Sequence, residues 1–509
     1  MKSFMVFLIG LLLSLPAMAQ KKADLKALDA YLAKAIKDWN VPGMAVAIVK
    51  DDSVIFSKGY GTRTIGKNEP VDSHTLFAIA SLSKAFTTAC LGQLVEQGKL
   101  HWDDKVTDHL PYFQMYDPYV TREMTVRDLL CHRSGSATFG GDLIWYGTNY
   151  SRDEVVRRVR YLKPTYSFRS HYGYQNIMFI TAGELFPVLT GKTWDEYVRE
   201  NIFKPLGMHE TNTSVRALEG NPNVATPHTT WNGQAITVPY RNVDNAGADA
   251  AINSNVHDLA KWIRVWLSPD TSTWAVSAST RYELWTPHTL LPITVDASKR
   301  FPSTHFRAAA LGWFTFDYEG RKIIDHGGGM DGMISKICLV PEENLGFIIL
   351  TNSISSLSSA IEYSILDAFI TGSEKDWSRE YLNLIRASEA KEKADEQKLE
   401  HDRVKNTQSS LPLASYAGVY GGPMYGHVKI TAEGNGLNIQ FLPTASFKGR
   451  LTHWHYDTFR IELEDRSLPK GLVNFILDKN GNVSEMKIDI PNPDFDFTEL
   501  ELKKLPNDQ

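Results

Sequence analysis

The chain has 509 residues, a formal charge of −5 and three cysteines. A single core stops growing at roughly 250–300 residues, so more than one domain is expected. The mixed, slightly acidic charge excludes a basic nucleic-acid-binding field, and Cys90, Cys131 and Cys338 are too few and too scattered for a disulfide framework.

Met-Lys, an apolar stretch from Phe4 to Leu15 and the small residues around Ala19 read as a signal peptide over residues 1–19. The protein is therefore expected to be exported, periplasmic or secreted. The apolar stretch is too short to span a bilayer comfortably, and no other stretch reaches spanning length, so no stable membrane span is expected once the signal is removed. From residue 20 to 372, short apolar strands such as "GMAVAIVKDDSVIFSKGYG" alternate with helical stretches such as "VEQGKLHWDD" and "HDLAKWIRVWL". Strand pairs stand near both ends of this region with helices and loops between them, which predicts a mixed α/β domain on an antiparallel sheet. Residues 373–410 are charged and rich in helix formers, a solvated helical linker. Residues 411–509 alternate polar and apolar positions between Gly/Asn turns, the texture of a small all-β barrel or sandwich.

Four Ser-x-x-Lys matches occur: Ser81/Lys84, Ser388/Lys391, Ser467/Lys470 and Ser484/Lys487. The second lies in the charged linker, the third contains Pro469, and the fourth falls in a predicted strand where residues three apart face opposite sides. Only Ser81/Lys84 opens an apolar helical run, "FAIASLSKAFTTACLGQLV". Burial there disfavours the ammonium and lowers the lysine pKa, so the amine can take the serine proton. A helix start also directs backbone N–H groups at an oxyanion formed near Ser81.

Tyr174-Gln-Asn176 precedes another apolar helix and offers a phenol for proton transfer and an amide for substrate contact. "DHGGGMDG" places His326 before Gly327, Gly328 and Gly329 on a predicted strand, where backbone can approach a ligand closely. No H-E-x-x-H motif occurs, and the tight pair His453/His455 suits a strand face, so neither metal nor cofactor is expected. A G-x-S-x-G elbow is absent, which argues against the α/β-hydrolase fold. Aromatics in "DLIWYGTNY" and "HTTWNGQ" are candidates for a ligand groove.

Taken in order, "FAIASLSKAFTT", "TVRDLLCHRSG", "YGYQNIMF", "FKPLGMHET", "INSNVHDLAKW", "LGWF" and "HGGGMDG" resemble the landmark segments of the β-lactamase-related serine hydrolases: class C β-lactamases, D-aminopeptidases, penicillin-binding-protein-like carboxypeptidases and esterases. The resemblance implies an antiparallel sheet flanked by helices plus a helical subdomain, with the C-terminal module resembling a lipocalin-like barrel. It implies that Ser81 is the nucleophile of an acyl-enzyme, that Lys84 and Tyr174 form the base unit, and that Asn176, His326, Gly327, Gly328 and Gly329 line the substrate site. The oxyanion hole would be the N–H groups of Ser81 and Gly329. His326-Gly327-Gly328 stands where the family carries Lys-Thr-Gly, so weak or no β-lactam hydrolysis is expected and a small-molecule ester, amide or peptide is the expected substrate. An acyltransferase or a penicillin-binding-like sensor with little turnover are the alternatives, and oligomeric state is left open.

Overall fold

The computed structural model describes residues 23–231, 233–269 and 276–506, so the expected signal lies outside the described residues. The segment Gly43–Lys50 is apolar on both faces and becomes a strand buried on both. It belongs to an eight-stranded sheet whose spatial order is Ser53–Gly61, Gly43–Lys50, Leu345–Thr351, Met333–Val340, Arg321–Met330, Phe314–Tyr318, Arg307–Ala309 and Thr289–Leu291. Every neighbouring pair is antiparallel. Met44 lies opposite Thr351 and Lys50 opposite Leu345, so strands from both ends of the domain pair as the second and third of the sheet, which fits the order of predicted strands.

Alternation along the strands divides the core. Met44, Val46, Ile48, Phe347 and Ile349 pack with residues of the helices Leu25–Asp38 and Leu357–Ile370. Ala45, Ala47, Val49, Ile348 and Leu350 belong to the other cluster, with the helical region where the Phe86 and Trp262 rings stack at 3.9 Å. Helix Ser83–Glu96 is buried on all sides from Ser83 to Leu94, as an apolar run without a polar stripe must be. It stops earlier than expected from "VEQGKLHWDD": Gly98 takes the left-handed conformation at φ +68 and lets the chain turn away. "HDLAKWIRVWL" does form the helix Val256–Leu267.

Helix Trp377–Asp402 buries only Trp377 and Ser378 and leads to the C-terminal strands. Eight antiparallel strands from Gly418 to Lys504 form a closed barrel, sealed where Tyr420 pairs with Lys504. Its core holds Tyr420, Val428, Ile439, Leu451, Ile461, Val473 and Phe475. The barrel is fastened to the hydrolase-like region: Asn149 N donates to the Pro443 carbonyl (3.0 Å), and the Tyr150 hydroxyl donates to that of Tyr425 (2.7 Å). Tyr146 packs on Phe495 (4.3 Å between ring centroids) and Phe447 (5.9 Å). The aromatics of "DLIWYGTNY", offered by the sequence as a ligand groove, are thus partly spent on holding the barrel. Among the described residues no helix is long and apolar enough to cross a membrane.

Candidate active site

From Thr75 to Leu94 every residue is buried except Ser81. The chain leaves strand Phe77–Ala78, turns through the short 3-10 segment Ala80–Leu82, and enters the helix at Ser83. Ser81 therefore stands just before the α-helix rather than on it. Ala80 holds φ +48, a left-handed conformation costing about 1–2 kcal/mol for a residue with a Cβ, and its own burial beside the buried Ile79 and Leu82 holds it there.

The Lys84 amine donates to Ser81 Oγ at 2.9 Å and to Asn176 Oδ1 at 2.8 Å, and forms an ion pair with Asp249. Burial lowers its pKa against the opposing pull of Asp249 and Asp142, and burial raises Asp249 against the pull of Lys84. Neither acid stands out in the sequence. Asn176 Nδ2 donates to Asp142 at 2.5 Å and Trp145 Nε1 donates to Asp142 at 2.9 Å, while burial raises the pKa of Asp142. Any substrate contact by Asn176 must share an amide already tied to Lys84 and Asp142.

Tyr174 brings its hydroxyl to Ser81, and its ring centroid lies 4.8 Å from Lys84 Nζ. Burial raises its pKa well above the usual phenol value, so the phenol is neutral at rest. The ring stacks on His132 at 4.2 Å. His132, also missed in the sequence, accepts at Nδ1 from the Gln175 N–H (3.0 Å), and burial keeps it neutral.

His326, Gly327, Gly328 and Gly329 lie on strand Arg321–Met330, paired with Met333–Val340 through the Asp331-Gly332 turn. Pairing on its other side ends at Asp325 opposite Phe314. A Cβ on Gly328 would collide with the Ile79 carbonyl oxygen and Ser335 Oγ and lie 3.1 Å from the Ser81 nitrogen. Glycine there is what lets the strand approach Ser81. His326 is buried, with Nδ1 at 2.6 Å from the Gly327 carbonyl. A carbonyl only accepts, so Nδ1 carries the proton and Nε2 presents a lone pair. Nε2 is buried without a hydrogen-bond partner, and burial drives the His326 pKa down to about 3.

Ser81, Lys84, Tyr174, Asn176 and His326 thus converge, with Gly328 abutting them. Gly327 is not crowded: a Cβ there would find its nearest neighbours at 3.9 and 4.0 Å. His453 and His455 sit on the barrel strand Lys448–His455, away from this cluster. Among the described residues no three His, Cys, Asp or Glu side chains gather as metal ligands. The three cysteines are buried and unpaired.

Comparison with known proteins agrees with this fold. The Beta-lactamase family model matches residues 28–369, and a domain of unknown function, DUF3471, matches residues 402–504. An unguisins hydrolase of Aspergillus campestris is 33% identical over 431 residues, covering 79% of this chain and 78% of its own. The protein flp of Staphylococcus aureus is 24% identical over 331 residues, covering 64% of this chain and 62% of its own. The octameric penicillin-binding protein homologue from Pyrococcus abyssi superposes with a TM-score of 0.62 at 21% identity, over 94% of this chain and all of that one. A D-stereospecific amidohydrolase from Streptomyces superposes with a TM-score of 0.54 at 21% identity, over 69% of this chain and 99% of that one. With the hydroxyl of Ser81, the amine of Lys84 and the phenol of Tyr174 gathered in one buried cluster, and the family matched across most of the chain, this protein belongs to the Beta-lactamase family and is a serine hydrolase of that family.

Proposed function

We infer that the protein is an exported hydrolase that cleaves amide, peptide or ester bonds through an acyl-enzyme on Ser81. The observation that carries this reading is the contact of 2.9 Å between the Lys84 amine and Ser81 Oγ inside an otherwise buried segment. Lys84, with Tyr174, receives the serine proton as Oγ attacks the substrate carbonyl, and the N–H groups of Ser81 and Gly329 face the developing oxyanion. Tyr174 then returns a proton to the leaving nitrogen or oxygen. The amidohydrolase relative supports an amide bond, and the leader over residues 1–19 supports export.

The polarity of His326 narrows the substrate. Its Nε2 lone pair, neutral at all physiological pH, favours a substrate N–H or O–H and disfavours a carboxylate. Substrates presenting an amide N–H, amine or hydroxyl at this position are therefore preferred over β-lactams, whose carboxylate meets no charge from His326.

Treatment of wild-type protein with a fluorophosphonate probe is expected to add one adduct by intact mass, and Ser81→Ala none. Turnover of amide substrates carrying a hydrogen-bond donor should then exceed that of matched carboxylates. A labelled Ser81→Ala protein would sink the assignment, and wild-type protein that acylates once without turning over would make it a binding protein.

A further inference from the structure

The buried carboxylate of Asp249 sits on the short helix Gly247–Ala250, whose side chain is 1% exposed beside a fully buried Lys84. Its segment is clamped to the lysine helix on both sides of the contact. Thr87 Oγ1 donates to the Ala248 carbonyl at 2.6 Å, and the Ile252 N–H donates to Ser83 Oγ at 3.2 Å. These bonds bracket Lys84, so the carboxylate cannot swing away without unseating the helix. Among the described residues Lys84 is the one cation paired with Asp249.

An ammonium has three N–H groups, and Lys84 has three acceptors around it: Ser81 Oγ, Asn176 Oδ1 and Asp249. A neutral amine has two N–H groups and one lone pair. With Asn176 and Asp249 taking the two N–H groups, the lone pair is left pointing at Ser81. Replacing a buried ion pair by apolar residues is often neutral or stabilising, so a pair kept at the nucleophile is poorly explained by fold stability alone.

We propose that Asp249 is a positioning residue that aims the Lys84 lone pair at Ser81 and serves as counter-ion when Lys84 becomes an ammonium. In acylation the Ser81 O–H bond breaks and its proton moves to Lys84 Nζ. The Oγ–carbon bond forms and the carbonyl π pair moves onto oxygen. When the tetrahedral species collapses, that pair re-forms the carbonyl, the bond to the leaving group breaks, and the ammonium proton passes to the leaving atom through Tyr174. Asp249 stabilises the ammonium between those two transfers without itself exchanging a proton with substrate.

The groups facing Lys84 are Asp249, Asp142 through Asn176, Tyr174, His132 and His326. Both histidines are held neutral and Tyr174 protonated, so the acidic limb belongs to the lysine and its acids. Asp249 raises the lysine pKa, so removing the carboxylate lowers it and moves that limb to lower pH.

The inference rests on Ser81 being the nucleophile, which labelling of wild type and of Ser81→Ala tests separately. The rate of fluorophosphonate labelling is followed from pH 5 to 10 for wild type and Asp249→Asn. The expected result is a plateau lowered about 100-fold, the lower end of the weight of the Ser81-to-Lys84 proton transfer that Asp249 aims, with the acidic limb moved down by about one pH unit or more. A slower variant whose limb stays in place means that Asp249 only packs, and the proposal falls. If Asn is not tolerated, Asp249→Leu, which removes the charge while keeping the branched outline of the side chain, gives the same readout. Failure of both variants to fold also overturns it, since the carboxylate then serves the fold.

Discussion

The catalytic junction and the C-terminal barrel both rest on antiparallel sheet, yet they bury opposite kinds of side chain. The junction encloses Lys84, Asp249, Asp142, His132 and His326, each driven by burial toward its neutral form. The barrel encloses Tyr416, Tyr420, Leu451, Phe459, Ile461 and Phe475, with the Tyr420 hydroxyl donating to the Tyr416 carbonyl at 2.6 Å. The difference shows that the junction gathers desolvated titratable groups around Ser81, whereas the barrel interior is filled mainly with apolar and aromatic side chains. The barrel also braces that site. Arg241 reaches Asp331 beside the glycine strand and Asp465 and Ser446 of the barrel, and Gly141 N, adjacent to Asp142, donates to Glu499 Oε2 at 2.8 Å.

The contrast is broken most severely at Gly328. Gly328→Ala forces the strand away from Ser81 and displaces the proposed oxyanion donor, so acylation should fall at least ~10³-fold, about 4 kcal/mol, with the fold retained. Kinetics of ester hydrolysis together with a thermal melt check this. In the barrel the damage should instead be to stability: Leu451→Ala, fully buried, should cost about 3 kcal/mol by denaturant titration of the barrel transition, with the Ser81 labelling rate kept below that transition.

The seam between the two regions carries a pH dependence. Burial raises Glu499 to about 7 from its ordinary 4.5. Between those values the folded protein holds a proton that the unfolded chain has released, so stability falls as pH rises, with the full penalty above 7. Glu499→Gln keeps an acceptor for Gly141 and abolishes the titration. Its melting temperature should exceed that of wild type at pH 8, by a stability gain on the order of 2 kcal/mol, and match it near pH 4.5. The smallest effect is expected one residue before Gly328. Gly327→Ala meets nothing closer than 3.9 Å and should change stability by less than about 0.5 kcal/mol, sharpening the contrast between the two adjacent glycines.

Much of this was legible in one dimension. Strand and helix texture, the helical linker and the all-β terminal module follow from hydrophobic period and turn residues, because backbone hydrogen bonding admits few solutions for each pattern. Ser81 and Lys84 were legible because three residues bring them together without help from distant chain. Tyr174 and His326 needed the ordered series of motifs. Asp249 and Asp142 left only a faint mark, an acid among small or apolar residues in "GADAAI" and "GGDLIW".

The sequence by itself determined the local elements, the reacting pair and the division into hydrolase and barrel, since each depends on residues within a few positions of one another. Tertiary structure alone decided which acids surround Lys84, that His326 offers a lone pair, and that Tyr146 packs on the barrel. Those facts depend on contacts between segments separated by tens to hundreds of residues, where desolvation and hydrogen-bond geometry act only after the chain has closed.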